Sequence, residues 1–470
     1  MEPNDASPLF TDYYQLTMGQ AYFMKNLHEQ PACFDYFFRK LPFKGGYVVL
    51  AGVQDFLQAL ENLKFSNADL EYLQKQGLDE TFLEYLKAFR FSGSISGAKD
   101  GSIVFPLEPI LKVEGTLLET QLVETLLLNF INFQSLIATK ASRIRFSAGT
   151  RILSDFGLRR AQGLGATKAS RAAIVGGFDN TSNLFAARTY NIPASGTMAH
   201  SFIETFENEL AAFRHYAAVF PNNCVLLVDT YNTLKSGLPN AIIVAKELEA
   251  KGFRLKGIRL DSGDLAYFSK KARAILDSHG LQYVQIIVSN QLDEYVIKSL
   301  LDQGAPIDIF GVGTSMIIGK PDGALDGVYK LAWAGDKPRL KISDNVQKTT
   351  FPGKKVVYRF LDNERRFYVD CISLEGESLP KKMVHPFEAE KSLSLEGLDY
   401  IPLFCQLMQE GKMLFAPISP FEQREYAYKE FERLPEEHKR FDFPHIYKVG
   451  ISEELAFLRT GMMRNFLKAL

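Results

Sequence analysis

Four apolar runs recur in the middle of the chain at a spacing of roughly 25–30 residues: CVLLVDT (224–230), LKGIRLDSGD (255–264), VQIIVSN (284–290) and IDIFGVGTS (307–315). Helical patterns separate the first three, LPNAIIVAKELEAKG and LAYFSKKARAILDSHG, and a third, QLDEYVIKSLLDQG, follows the run at 284–290. This alternation requires parallel strands, because each crossover helix returns the chain to the same end of the sheet. Every run ends in polar or glycine residues: Asp229; Asp261, Ser262, Gly263 and Asp264; Ser289 and Asn290; Gly311, Gly313 and Thr314. In parallel α/β folds, chemistry gathers at the carboxyl ends of the strands. The period and the polar ends together predict an α/β protein with its site along one edge of a parallel sheet.

At 470 residues the chain is too long for one ordinary domain, and 46% apolar with 23% charged residues is ordinary globular composition. The flanks read differently from the middle. TDYYQLTMGQAYFMKN (11–26) has helical spacing with Thr11 or Asp12 as cap. ACFDYFFRKLPFKGGYVVLAG (32–52) reads as a strand, a Gly-Gly turn and a second apolar stretch, and 53–90 as short helices. Residues 114–144 form a long, strongly apolar helix, expected to be buried or at an interface. KKVVYRFLDNERRFYVDCISLEG (354–376) reads as an antiparallel hairpin, and the chain ends in a helical pattern. These changes set expected boundaries: a mixed α+β segment 1–112, a catalytic α/β domain 113–345, and a segment 346–470 packing beside the first.

The net charge of −1, with both signs interspersed, argues against a nucleic-acid partner and leaves room for a small anion held by a local arginine cluster. Cys33, Cys224, Cys371 and Cys405 have neither metal nor disulfide spacing, which predicts a reduced compartment and mostly buried thiols. MEPNDASPLF lacks the basic and apolar regions of a signal peptide, and no apolar run is read as a membrane span. The expectation is a soluble intracellular protein without a membrane partner.

Three segments point to chemistry. In IRLDSGDL (258–265), Asp261 and Asp264 flank a Ser-Gly turn: either they cap the next helix, or both carboxylates face the site, toward ribose hydroxyls, a magnesium complex or a developing cation. Arg259, two residues before Asp261, lies on the same strand face, and an arginine there pairs with a carboxylate of the protein or of a ligand. DIFGVGTS (308–315) ends in Gly311-Val312-Gly313-Thr314, a tight turn or a place where backbone N–H groups and a hydroxyl meet a phosphate. SDFGLRRAQG (154–163) sets Phe156, Arg159 and Arg160 before a helix carrying Lys168 and Arg171, which is a solvated basic face or an aromatic platform beside an anion site. His200 follows the small-residue turn Ser195-Gly196-Thr197 at the start of an amphipathic pattern, as a helix-end residue or a catalyst.

Taken together, TDYYQLTM, FFRKLPFKGGYVVLAG, SDFGLRRAQG, GGFDNTSN, GTMAHSF, IRLDSGDL and GVGTS…DGVYKL, in that order, resemble the nicotinate phosphoribosyltransferase family over most of the chain. The resemblance implies an irregular α/β barrel of parallel strands beside a mixed α+β domain built from the N- and C-terminal segments, assembled as a homodimer with shared active sites. It implies that nicotinate and phosphoribosyl pyrophosphate give nicotinate mononucleotide and pyrophosphate. ATP hydrolysis is coupled through a phosphohistidine, as in an ATP-dependent ligase, with Mg²⁺ carried mainly by the phosphates.

By the same resemblance, His200 is the phosphate acceptor. Tyr14, Phe156, Thr197 and Arg259 contact nicotinate, Tyr14 from the partner subunit, and Thr314 contacts the sugar phosphate in the turn of Gly311 and Gly313. Arg159, Asp261 and Asp264 serve pyrophosphate and ribose. These roles are chemically coherent: a guanidinium fork suits a carboxylate, aromatic faces favour a pyridinium, and a helix N-terminus favours a neutral imidazole and its phosphorylated form. Ser182 stands where the related nicotinamide enzymes carry an aspartate, which favours the acid substrate over nicotinamide. Asn180 stands where many relatives have glycine. A quinolinate phosphoribosyltransferase and a non-catalytic nucleotide-binding relative are the remaining alternatives.

Overall fold

The computed structural model describes residues 7–342, 349–388 and 390–469. The chain divides into two compact units: one holds the residues up to Thr139 with Ala324–Ile418 and the chain from Glu422 onward, the other Lys140–Gly323 with Ser419–Phe421.

The second unit carries the parallel strands. Six strands form one sheet in the order Asn180–Thr181, Ile152–Asp155, Ile309–Val312, Gln285–Ser289, Gly257–Leu260, Val225–Leu227, every neighbouring pair parallel. The four predicted runs are all strands, separated by helices Leu238–Ala250 and Leu265–Ser278 and by Glu294–Asp302. Strands Ile152–Asp155 and Asn180–Thr181 escaped the sequence reading, since they lie before the regular strand–helix alternation and carry no repeat of their own.

Register explains which residues face the site. Arg259 aligns with Ile287, Ile287 with Ile309, and Ile309 with Ile152. Val225, Ile287 and Ile309 cluster with Ile152 as an apolar plug on one face. Two residues further along, the same face presents Ser289, Gly311 and Ser154 in register. The alternate residues Ile258, Leu260, Ile286, Val288, Phe310 and Val312 are fully buried on the opposite face.

The first unit is built from both ends of the chain. Its seven-stranded sheet joins Pro31–Phe38, Leu111–Thr116 and Ser94–Gly97 to Gly327–Ala334 and Cys405–Gln409. A six-stranded sheet contains the predicted hairpin, Lys355–Leu361 against Phe367–Leu374. The N-terminal helix is Tyr13–Met24 behind Asp12, and the predicted short helices are Val53–Glu61, Asn67–Lys75 and Glu80–Ala88.

The division falls at 139/140 and 323/324, whereas the sequence changes suggested 112/113 and 345/346. Helix Glu124–Ala148 runs through the first division without a break in pattern, and strand Gly327–Ala334 pairs with Pro31–Phe38. The expected boundary at 345/346 lies outside the described residues, as do the first six residues of the stretch read for a signal peptide. The apolar stretch Leu117–Ala148 is, contrary to the sequence reading, long and apolar enough to cross a membrane by length and composition, but 67% of its most apolar window is buried inside the protein. Three of the four cysteines are buried and Cys405 is exposed; burial pushes the thiols of Cys224 and Cys371 up to about 12.

Candidate active site

At the carboxyl end of the parallel sheet lies a cavity of about 660 Å³. Four basic side chains line it, Arg159, Arg160, Arg259 and Lys320, against two carboxylates, Asp261 and Asp293. The balance favours a multiply charged anion.

Arg259 is the most constrained of these groups. Its Nε donates to Ser289 Oγ at 2.9 Å, and its Nη1 to Thr197 Oγ1 at 3.0 Å and to the Met198 carbonyl at 3.4 Å. Its Nη2 pairs with Asp261 Oδ1 at 3.1 Å. The guanidinium lies 5.5 Å from the centroid of the Phe156 ring. Strand spacing thus brings Arg259, Asp261, Thr197 and Phe156 to one place, and the arginine takes a protein carboxylate as partner.

The Phe156 ring has a specific seat. A Cβ on Gly311 would meet its Cδ2 and Cε2 at 2.5 Å. Gly311 therefore makes room for an aromatic ring at the head of the Gly-x-Gly turn. Gly313 precedes the short helix Thr314–Ile317 and lines the cavity with Thr314.

Asp155, fully buried, fixes the turn into Phe156. Its Oδ1 accepts the Gly157 N–H at 2.8 Å, and its Oδ2 accepts the hydroxyls of Ser170 and Thr181, each at 2.7 Å. Burial pushes its carboxyl above the usual aspartate range, against the pull of those three donors. Its carbonyl accepts the Ser182 N–H at 2.8 Å. Ser182 itself stands outside the cavity wall. Asn180, at the position where many relatives have glycine, is extended in a strand beside Ser154. Asp155 sits inside one of the motifs, but nothing in the sequence separates a buried turn-holding aspartate from a surface one.

His200 opens a helix of only five residues, His200–Glu204, capped by Ala199 without a side-chain hydrogen bond. The amphipathic pattern that runs on from His200 is broken at Thr205–Asn208 and resumes as the helix Glu209–Val219. So short a helix has a weak dipole, and side chains hold His200 instead. Its Nδ1 is 3.0 Å from Thr230 Oγ1, and its Nε2 is 3.8 Å from Asp261 Oδ2. Asp229, next to Thr230, accepts the Asp261 N–H and the Ser262 hydroxyl, each at 2.7 Å, through Oδ2. Its buried Oδ1 has no hydrogen-bond partner among the described residues.

Asp264 is an exposed N-cap, accepting the Tyr267 N–H at 2.9 Å, and lies outside the cavity wall. Here the capping alternative describes what its side chain does. Arg159 and Arg160 are exposed on the turn Leu158–Arg160, whereas Arg171 is buried with its guanidinium 5.9 Å from the Tyr190 ring, a structural role. Tyr14 belongs to the other unit, where it is exposed and its hydroxyl donates to Glu124 Oε2 at 3.3 Å. Thr230, Asp155 and Lys320 are the site residues that the sequence reading missed, and Ser289 was read only as a polar strand end, without its contacts to Arg259 and Asp261.

The chain matches three family models: the nicotinate phosphoribosyltransferase (NAPRTase) N-terminal domain over residues 9–132, the NAPRTase family over 152–370, and the NAPRTase C-terminal domain over 354–459. It is 42% identical over 464 residues to the nicotinate phosphoribosyltransferase of Bacillus subtilis, spanning 96% of this chain and 94% of that protein. The chain belongs to the nicotinate phosphoribosyltransferase family. A 36% identical member from Caenorhabditis elegans aligns over 97% of this chain and 94% of its own length. Among solved structures, human nicotinic acid phosphoribosyltransferase superposes with a TM-score of 0.87 at 31% identity, covering 96% of this chain and 99% of that one.

Proposed function

We propose that this protein makes nicotinate mononucleotide and pyrophosphate from nicotinate and phosphoribosyl pyrophosphate, with coupled ATP hydrolysis through a phosphohistidine, in the salvage route to NAD. The observation that carries the reading is the Arg259 guanidinium, held by Ser289, Asp261 and Thr197 beside the Phe156 ring in a cavity with a basic surplus.

The carboxylate of nicotinate takes the Nη1–Nη2 end of the Arg259 guanidinium, shared with Thr197, and the ring lies against Phe156. In a homodimer, Tyr14 of the partner subunit covers the other ring face. Attack by the ring nitrogen on the anomeric carbon of phosphoribosyl pyrophosphate breaks the bond to pyrophosphate, and positive charge develops on sugar and ring. Asp261, the cavity-wall carboxylate paired with Arg259, offsets that charge, with Asp264 further out. Arg159, Arg160 and Lys320 hold the leaving anion, and Thr314 with the Gly311–Gly313 turn holds the sugar phosphate.

Among the described residues no three His, Cys, Asp or Glu side chains cluster as a metal site. The donor set therefore fits Mg²⁺ arriving on phosphates rather than held by the protein alone, with Asp261 and the unpartnered oxygen of Asp229 as the available carboxylates. Mg²⁺ on the phosphates neutralises charge on the leaving group.

The strand order supports a barrel. Numbered along the chain from Ile152–Asp155, the six strands stand in the order 2-1-6-5-4-3. Every pairing joins neighbours on one closed ring, and the single junction left is between Asn180–Thr181 and Val225–Leu227. We read the sheet as the wall of an irregular α/β barrel, in a cytoplasmic homodimer.

ATP coupling is tested at His200. Incubated with Mg²⁺ and ATP labelled in the γ-phosphate, the wild-type chain is expected to take up an acid-labile label. His200→Ala should take up none, yet still form mononucleotide slowly without ATP. Labelling of the alanine variant to the wild-type extent assigns the acceptor elsewhere.

A further inference from the structure

Ser289 has no assigned role, yet its hydroxyl lies at the centre of the site. It ends the strand Gln285–Ser289 and is 3% exposed. Its Oγ accepts from Arg259 Nε at 2.9 Å and donates to Asp261 Oδ1 at 2.5 Å. The same Oδ1 lies 3.1 Å from Arg259 Nη2. The three side chains close a triangle in which every polar contact is charge-assisted.

A guanidinium offers two edges to an acceptor pair: the side, made by Nε and Nη2, and the end, made by Nη1 and Nη2. Here the side edge is filled by two oxygens from two residues, Ser289 Oγ on Nε and Asp261 Oδ1 on Nη2. At the end edge Nη1 meets only neutral oxygens, Thr197 Oγ1 and the Met198 carbonyl, so a ligand carboxylate approaching there competes with no protein carboxylate on that nitrogen. The hydroxyl also stands between Asp261 and Nε. Were it absent, the simplest way to satisfy the buried Nε–H would be for Asp261 to take both N–H groups of that edge as a bidentate pair. That shift would draw Asp261 toward the sheet and away from His200, which its Oδ2 now approaches at 3.8 Å.

We propose that Ser289 is a positioning residue that acts as a spacer: its hydroxyl satisfies Arg259 Nε so that Asp261 makes a single contact with the guanidinium and keeps its other oxygen toward His200. The inference rests on the phosphoribosyl-transfer reading above. It separates two functions that adjoin in space, since the nicotinate-facing end of Arg259 does not depend on the hydroxyl, whereas the position of Asp261 does.

The test compares wild type, Ser289→Ala and Ser289→Thr by calorimetric titration with nicotinate and by steady-state turnover of nicotinate with phosphoribosyl pyrophosphate, Mg²⁺ and ATP. Ser289→Ala should lose at least about tenfold in kcat while nicotinate Kd stays within about threefold of wild type. Ser289→Thr, which restores a hydroxyl, should recover most of the lost kcat. A kcat unchanged in the alanine variant overturns the spacer role. So does a loss of binding equal to the loss of turnover, and so does a loss that threonine fails to repair although both variants keep the wild-type unfolding midpoint. A wild-type chain that binds nicotinate but forms no mononucleotide overturns the functional reading instead, independently of either variant.

Discussion

Arg259 meets four partners through one planar group: Ser289, Thr197, the Met198 carbonyl and Asp261. Lysine keeps the charge but cannot reproduce that fork. Arg259→Lys should raise the KM for nicotinate about tenfold to a hundredfold while the fold is kept. Steady-state kinetics with nicotinate and with an uncharged pyridine checks this, and an equal loss with both would assign Arg259 a general structural role. Ser182→Asp adds a carboxylate near the turn that Asp155 holds; it should cost nicotinate about 1–3 kcal/mol in kcat/KM. An unchanged value would show that Ser182 is remote from the ring. The spacing of two between Arg259 and Asp261 was enough to put both on one strand face. Ser289 was not legible in the same way. Its neighbours are thirty and twenty-eight residues away, and only the order of strands in the sheet brings them together.

At the scale of elements, the cavity wall formed by Ser289–Asp293 is held from behind. Asn290 and Gln291 both have positive φ, 84° and 48°, in the left-handed region that costs most residues energy. The helix that follows is anchored at its first residue, Glu294, which is 1% exposed, forms an ion pair with Lys140 Nζ at 2.5 Å and accepts from Arg143 Nε at 2.9 Å. Ser147 adds a hydrogen bond to the Glu294 carbonyl at 2.7 Å. Burial alone would raise the Glu294 carboxyl, but the two cations hold it below the ordinary glutamate range. A depressed carboxyl contributes stability above its unfolded pKa of about 4.3, and that contribution is lost as pH falls through the lower folded value. Glu294→Gln removes the carboxylate charge that two buried cations share and should cost about 3–5 kcal/mol at neutral pH, with the difference from wild type shrinking on acidification. Denaturant unfolding at neutral and acidic pH measures it; a difference that grows on acidification would contradict the assignment. The repeated strand–helix runs of this unit were readable from their period, but Ile152–Asp155, Asn180–Thr181 and the break after Glu204 were not, because they stand outside that repeat.

At the scale of the whole molecule, the unit built from both chain ends is pinned by Arg359, which is fully buried. It pairs with Asp370 through Nε at 2.9 Å and Nη2 at 2.7 Å, with Glu108 Oε1 at 3.8 Å and Glu430 Oε2 at 3.7 Å nearby. Glu108 comes from the N-terminal segment and the other three from the C-terminal one, so a single cation ties the two together. Arg359→Ala should destabilise that unit by about 3–5 kcal/mol, because it strands buried carboxylates. Faster amide exchange in Lys355–Leu361 and Phe367–Leu374 reports the loss, and unchanged exchange there would deny Arg359 that role. The two-part organisation was visible as a change of pattern, yet its divisions were not, since helix Glu124–Ala148 continues across one of them. The central claim concerns the parallel-sheet unit and its arginine-bound acid. It is tested most directly by supplying the purified chain with phosphoribosyl pyrophosphate, Mg²⁺ and ATP, and with either nicotinate or nicotinamide, and quantifying the mononucleotide formed from each. The account predicts nicotinate mononucleotide with little or no product from nicotinamide; equal use of both bases, or product from nicotinamide alone, would contradict it.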